Sequence, residues 1–181
     1  MNNRGFTIIE LLVISAIIAT FSVVLIFNFG VSPESETARD QTASVILSDI
    51  RRAQSMALSG SRFQGNLTCG YGVHYLDQNS YSIYAKVVPV SGLCSSVITR
   101  NYQAGDMVVE TKKLINSNME IRSAFLDVFF EPPDPKVYLN NSYSLSASPT
   151  VITVQLKNQQ NCDQSTCTDI SIYGSGQIDS E

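Results

Sequence analysis

The distribution of apolar positions divides this chain in two. From Phe6 to Phe29 it reads FTIIELLVISAIIATFSVVLIFNF, 24 residues with one charge, Glu10. A helix of that length, rising about 1.5 Å per residue, covers about 36 Å, enough to cross a hydrocarbon core of about 30 Å with some tilt. Soluble helices seldom stay apolar on all sides for so long. The run also exceeds the roughly 7–15 apolar residues of a secretory signal, and no small-x-small cleavage site follows at Asn28-Phe29-Gly30. Gly30-Val31-Ser32-Pro33 then interrupts or kinks the helix, because proline lacks the N–H and restricts the residue before it.

A second helical period runs from Glu36 to Ser59. Ala43, Ile46, Leu47, Ile50, Ala53, Ala57 and Leu58 recur at three- and four-residue spacing. Asp40, Asp49, Arg51, Arg52 and Ser55 lie off that stripe, which predicts one packed face and one wet face. Gly60 is a natural stop. From Ser61 the period changes to two. Tyr71, Val73 and Tyr75 alternate with Gly72 and His74; Ile83, Ala85 and Val87 with Ser82, Tyr84 and Lys86; Ile152, Val154 and Leu156 with Thr153, Gln155 and Lys157. Further strands are predicted at Val97–Tyr102, Met107–Leu114, Met119–Phe125, Leu126–Phe130 and around Ile170 and Ile172. Short Gly, Asn, Ser and Pro clusters separate them, which predicts antiparallel hairpins, and no β-α-β alternation suggests a parallel sheet. The predicted class is α+β: a long N-terminal transmembrane and stalk helix, then a sandwich-like antiparallel β head. The predicted segments are a leader at 1–5, a transmembrane and assembly helix at 6–29, an amphipathic stalk helix at 30–60 and an extracytoplasmic head at 61–181.

Charge supplies orientation. Arg4 is the one basic residue before Arg39. Placed just ahead of the apolar run, it leaves the N-terminus in the cytoplasm and everything after Gly30 outside, in the periplasm or beyond. All four cysteines then lie where disulfides persist. Four cysteines allow three connectivities. Cys69 and Cys94 bracket the first hairpin of the head, and Cys162 and Cys167 flank a polar loop between two predicted strands, so the favoured pairs are 69–94 and 162–167. A thiolate metal site is disfavoured by the absence of C-x-x-C spacing. Overall the chain carries 12 Lys+Arg against 16 Asp+Glu, an acidic balance that gives nucleic-acid binding no general support.

Glu10 is the anomaly. A carboxylate inside an apolar span costs several kcal/mol by insertion scales and marks function by default. Four residues earlier stands Gly5-Phe6. The segment Gly5 to Val13, GFTIIELLV, resembles the type IV prepilin cleavage and methylation motif. That resemblance implies cleavage by prepilin peptidase after Gly5, N-methylation of the new Phe6 amine, and a role for Glu10 in assembly. The stretch from Gly5 to Ala38 contains no basic residue. A buried Glu10 would thus find its cation in the Phe6 amine of a neighbouring subunit, fixing axial register. A helix of about 80 Å over residues 6–59 carrying a globular head is the pilin architecture.

Within the family, Phe130-Glu131-Pro132-Pro133-Asp134-Pro135 followed by Lys136–Leu139 resembles a strand–turn–strand element of pseudopilins of the GspH/FimT type. The segment Ile170–Ile178 is similar to their closing strand and turn. The implied function is a structural minor pilin or pseudopilin of a type IV pilus or type II secretion-like filament. Its implied partners are prepilin peptidase, other pilin subunits, an inner-membrane assembly platform and membrane lipid. A second expectation is an adhesive or DNA-binding tip subunit using Arg51, Arg52, Arg62, Arg100, Lys112 and Lys113. A third is an anchored enzyme working through His74, the one histidine. The sequence carries no G-x-S-x-G, H-E-x-x-H or P-loop motif, so neither catalytic residue nor cofactor nor metal ligand is assigned. Asn66-Leu67-Thr68 and Asn140-Asn141-Ser142 match the glycosylation sequon, a pattern frequent by chance.

Overall fold

The structure is a computed structural model. It describes residues 8–29, 33–60, 62–89, 92–133, 136–162 and 166–180, with the side chains of 24–29 and 33–34 left aside. The Gly5–Phe6 junction, the Gly30–Ser32 break and part of the Pro133–Pro135 turn lie outside the described residues. The chain forms two compact units, Met1–Thr37 and Ala38–Glu181.

In the first unit, helix α1 spans Ile8–Phe29. All its described side chains, residues 8–23, are exposed. Among the described residues no helix is long and apolar enough to cross a membrane. The second helix, α2, spans Pro33–Leu58 and enters the second unit at Ala38. Its apolar stripe packs as the spacing implies except at the helix end, where Leu58 is 49% exposed. Ala43, Ile46, Ile50, Ala53 and Ala57 are buried in one core with strands of both sheets.

The head holds β1 (Thr68–Asp77), β2 (Ser80–Val87), β3 (Met107–Lys113), β4 (Met119–Ile121), β5 (Val128–Glu131), β6 (Lys136–Leu139), β7 (Ser142–Tyr143), β8 (Thr150–Leu156), β9 (Cys167–Ile172) and β10 (Ile178–Ser180). They form a six-stranded sheet ordered β3-β2-β1-β5-β6-β7 and a four-stranded sheet ordered β10-β9-β8-β4. The observed pairings are antiparallel, so the α+β class with an antiparallel head holds. Alternation decides what goes inside: Tyr71 and Val73 of β1 and Tyr81, Ile83 and Ala85 of β2 face the core, as do Ile152 and Val154 of β8 and Ile170 and Ile172 of β9. The tandem Asn140-Asn141, both at positive φ (49° and 63°), turns β6 into β7, which is the work asparagine does well in tight hairpins.

Two expectations fail. Val97–Tyr102 is not a strand. After a single 3-10 turn at Cys94–Ser96, it belongs to an irregular segment whose backbone N–H groups bond to Asn141 in the β6–β7 turn and to Asp127 just ahead of β5. Asp49, placed on the wet side of α2 by its spacing, is buried, and its carboxylate accepts a 2.7 Å hydrogen bond from the Tyr81 hydroxyl. Burial, and then that bond to Asp49, holds the Tyr81 phenol well above its usual range. A cross-sheet partner thus overrides the local pattern.

Close packing also fixes one glycine. A Cβ on Gly174 would overlap the backbone carbonyl of Ser144, so the β9–β10 turn meets the β7–β8 connection through backbone alone. Gly174→Ala is expected to cost about 1–3 kcal/mol through overpacking. At roughly 2–4 °C per kcal/mol for a chain of this size, calorimetry should show a clear drop in Tm. An unchanged Tm would mean that this approach is looser than drawn.

Candidate functional site

Two surfaces stand out: the apolar helix α1, and the outer face of the six-stranded sheet. In α1, large apolar side chains such as Ile8, Leu11, Ile18 and Phe21 are 60–84% exposed. The hydroxyls of Ser15, Thr20 and Ser22 donate to the carbonyls of Leu12, Ile17 and Ile18 at 2.8–2.9 Å. These three polar groups are satisfied inside the helix, so they place no polar demand on whatever surrounds it. Glu10 lies in α1 with its side chain exposed.

On the outer face, alternation puts Gly72, His74, Ser82, Tyr84, Lys86 and Phe129 away from the core. His74 Nδ1 is 2.7 Å from Asp127 Oδ1, just ahead of β5. The Tyr102 ring stacks on His74 at 4.4 Å, and the Tyr102 backbone N–H donates to the other Asp127 oxygen at 2.7 Å. Tyr84 is fully buried, and its hydroxyl donates to the Arg100 carbonyl at 2.6 Å. Burial foremost, with the carboxylates of Asp127 and Asp106 adding to it, raises its phenol far above the usual range. Gly72 leaves room for that ring, since a Cβ there would overlap it. Beside this layer a cavity of about 500 Å³ opens between the end of β2 and the segment at Ser96–Thr99, bordered by the ion pair of Lys86 with Asp106.

His74 and Asp127 form one leg of a nucleophile–base–acid arrangement. Ser82 stands opposite His74 in the β1–β2 register, but its Oγ is buried and makes no hydrogen bond. The cavity beside them is lined by neither residue. Nothing in the sequence near His74 signalled Asp127 or Tyr102, which lie 53 and 28 positions away; the β1–β5 pairing brings up Asp127, and the irregular segment before β3 brings up Tyr102.

Several of the basic residues named from sequence are paired within the head. Arg52 and Lys112 both pair with Glu110, each at 2.8 Å. Arg100 pairs with Glu131 at 2.8 Å and lies over the Tyr138 ring. Arg51 reaches toward the Ile178 carbonyl. The Lys112 bond, with Arg52 next, holds the Glu110 carboxyl below the usual carboxylate range, and the Glu110 bond raises Lys112. A depressed carboxyl contributes stability above its unfolded pKa, lost as pH falls through the folded value. Glu110 is partly exposed, so its contribution is small, about 0.5 kcal/mol. Denaturant curves of wild type and Glu110→Gln should therefore differ slightly at neutral pH and converge as pH falls below the carboxylate range. A gap that widens in acid would contradict this pairing.

The cysteines are bonded as 69–94, with Cα atoms 5.3 Å apart, and 162–167, at 5.4 Å. The first ties the start of β1 to the segment that crosses the outer face. The second closes the short loop that enters β9. No group of His, Cys, Asp or Glu suited to a metal is found among the described residues.

Residues 1–26 match the family model for the prokaryotic N-terminal methylation motif. No curated protein and no solved structure matches the chain significantly. The match covers Gly5, Phe6 and Glu10 together with most of α1, and it implies processing by prepilin peptidase and assembly with other pilins. The chain thus carries the prokaryotic N-terminal methylation motif on an apolar helix, followed by an antiparallel β head, an arrangement that supports a type IV pilin-like protein.

Proposed function

We propose that the chain is a minor pilin or pseudopilin, a structural subunit of a type IV pilus or type II secretion-like filament. In this reading prepilin peptidase cuts after Gly5 and the Phe6 amine is methylated. The apolar segment from Phe6 onward first holds the precursor in the inner membrane as a single span, N-terminus in the cytoplasm and head outside. It then packs among the helices of neighbouring subunits. The chain is a substrate of the processing enzymes and carries no catalysis of its own.

One observation carries the reading: α1 is apolar, exposed along its described length, and headed by the methylation motif. Exposed apolar surface of this extent needs lipid or other helices to cover it. The two disulfides support a head in an oxidising compartment. The subdivision into the GspH/FimT type rests on the hairpin of β5 and β6 and on the β9–β10 closure. The tip-adhesin and DNA-binding reading loses weight, because Arg52, Arg100 and Lys112 are engaged with Glu110 and Glu131.

Fractionation tests the reading. The protein should appear in the membrane pool and, together with other pilin subunits, in filaments sheared from cells. Recovery solely as a soluble monomer would overturn it.

A further inference from the structure

Between β2 and β3 the chain crosses the outer face of the six-stranded sheet as a strap, residues 93–106. One attachment is covalent, Cys94 to Cys69 at the start of β1. The others are hydrogen bonds, ion pairs and ring contacts, among them the pair of Asp106 with Lys86 and the Tyr84 hydroxyl bond to the Arg100 carbonyl. The Arg100 backbone N–H donates to Asn141 Oδ1 at 2.7 Å, and its guanidinium pairs with Glu131. The Tyr102 N–H and ring engage Asp127 and His74. No strap residue belongs to the hydrophobic core, and none is fully buried. Segments with few buried apolar contacts open locally without global unfolding. Hydrogen bonds exchange for water on opening, and the largely buried pairs Arg100–Glu131 and Lys86–Asp106 give back part of their attraction as desolvation, so each contributes less than its geometry suggests. The covalent tether is then the one attachment that water cannot replace, on a strap that the core does not hold.

We propose that the Cys69–Cys94 bond is a redox latch, whose reduction opens the strap over a head that stays folded and uncovers the Tyr84 layer. Cys69 is 2% exposed, whereas Cys94 is half-buried, so an attacking thiolate meets Cys94 Sγ and expels the Cys69 thiolate. A dithiol reductant then completes the exchange. Its two thiols give up two electrons and two protons and become a disulfide, while Cys69 and Cys94 become thiols. A disulfide oxidant outside the cytoplasm reverses the step. The head would then present two different surfaces, one sealed by the strap and one aromatic, according to redox state. This inference stands on the head alone and does not depend on the filament reading.

The test uses the full chain in detergent, with Cys162→Ser and Cys167→Ser introduced so that one disulfide remains. Hydrogen exchange is followed by mass spectrometry with and without dithiothreitol, and Tyr84 is probed by nitration after the freed thiols are alkylated. On reduction, amides in the strap should exchange at least about tenfold faster, those of β1, β5 and β8 should keep their protection, and Tyr84 should become reactive. Reoxidation should restore the starting pattern. The unlinked variant Cys69→Ser with Cys94→Ser should match the reduced form. Unchanged strap exchange after reduction, loss of protection across the whole head, or a bond that dithiothreitol cannot reduce in the folded protein would each overturn the latch.

Discussion

Replacing Gly5 by a bulky residue such as Leu is expected to leave the precursor uncut. The peptidase has to approach the backbone at the Gly5–Phe6 bond, and a side chain on the residue it reads obstructs that approach. Gly5→Ala adds a single methyl group and is expected to retain partial cleavage. The block should be close to complete in Gly5→Leu and should carry assembly with it, because an uncut leader leaves Phe6 without a free amine. Immunoblots of cells carrying the prepilin peptidase would resolve precursor from mature chain by their size difference. A Gly5→Leu protein that matures at the wild-type rate would show that the junction is cut elsewhere or not at all.

Glu10 carries the second large effect, and it acts after cleavage. Gly5 and Phe6 lie on the peptidase side of the motif, so Glu10→Ala should still be processed. Its membrane insertion should be slightly easier, since a costly carboxylate has gone. Incorporation into filaments should nevertheless fall, because the Phe6 amine of the adjoining subunit loses its counter-charge where the dielectric is low. Breaking a buried pair by removing one partner typically costs about 3–5 kcal/mol, a loss large enough to nearly empty the filament fraction. Glu10→Gln keeps the volume and much of the hydrogen bonding while removing the charge. If charge pairing drives assembly, Gln should fail almost as badly as Ala. The ratio of filament-associated to membrane-pool protein reads both variants. Equal ratios for wild type, Gln and Ala would make Glu10 a passive residue, as at a tip position with no subunit ahead of it.

Much of this molecule is legible in the sequence because period carries so much information. The switch from a 3.6-residue to a two-residue repeat near Gly60 marks where α2 gives way to the head. The alternation in β1, β2 and β8 correctly assigns which side chains enter the core. Position alone named the cysteine pairs 69–94 and 162–167. What stayed hidden depends on contacts between distant segments. Val97-Ile98-Thr99 has the composition of a strand, yet Tyr84, Asp127 and Asn141 hold the following residues as a strap instead. Asp49 looks solvent-facing until Tyr81 arrives from another element. Arg52 and Arg100 look like free positive charges until Glu110 and Glu131 arrive from distant segments to pair with them. The short strands β7 and β10 have too few residues for any period to register.

The central claim is that the chain is matured at Gly5–Phe6 and built into a filament through the helix that this cut exposes. Mass spectrometry of the N-terminal peptide, taken from protein in sheared and washed filaments, tests it most directly. That peptide should begin at Phe6 and carry one added methyl group on its amine. Filament-associated protein that still begins at Met1 would contradict it.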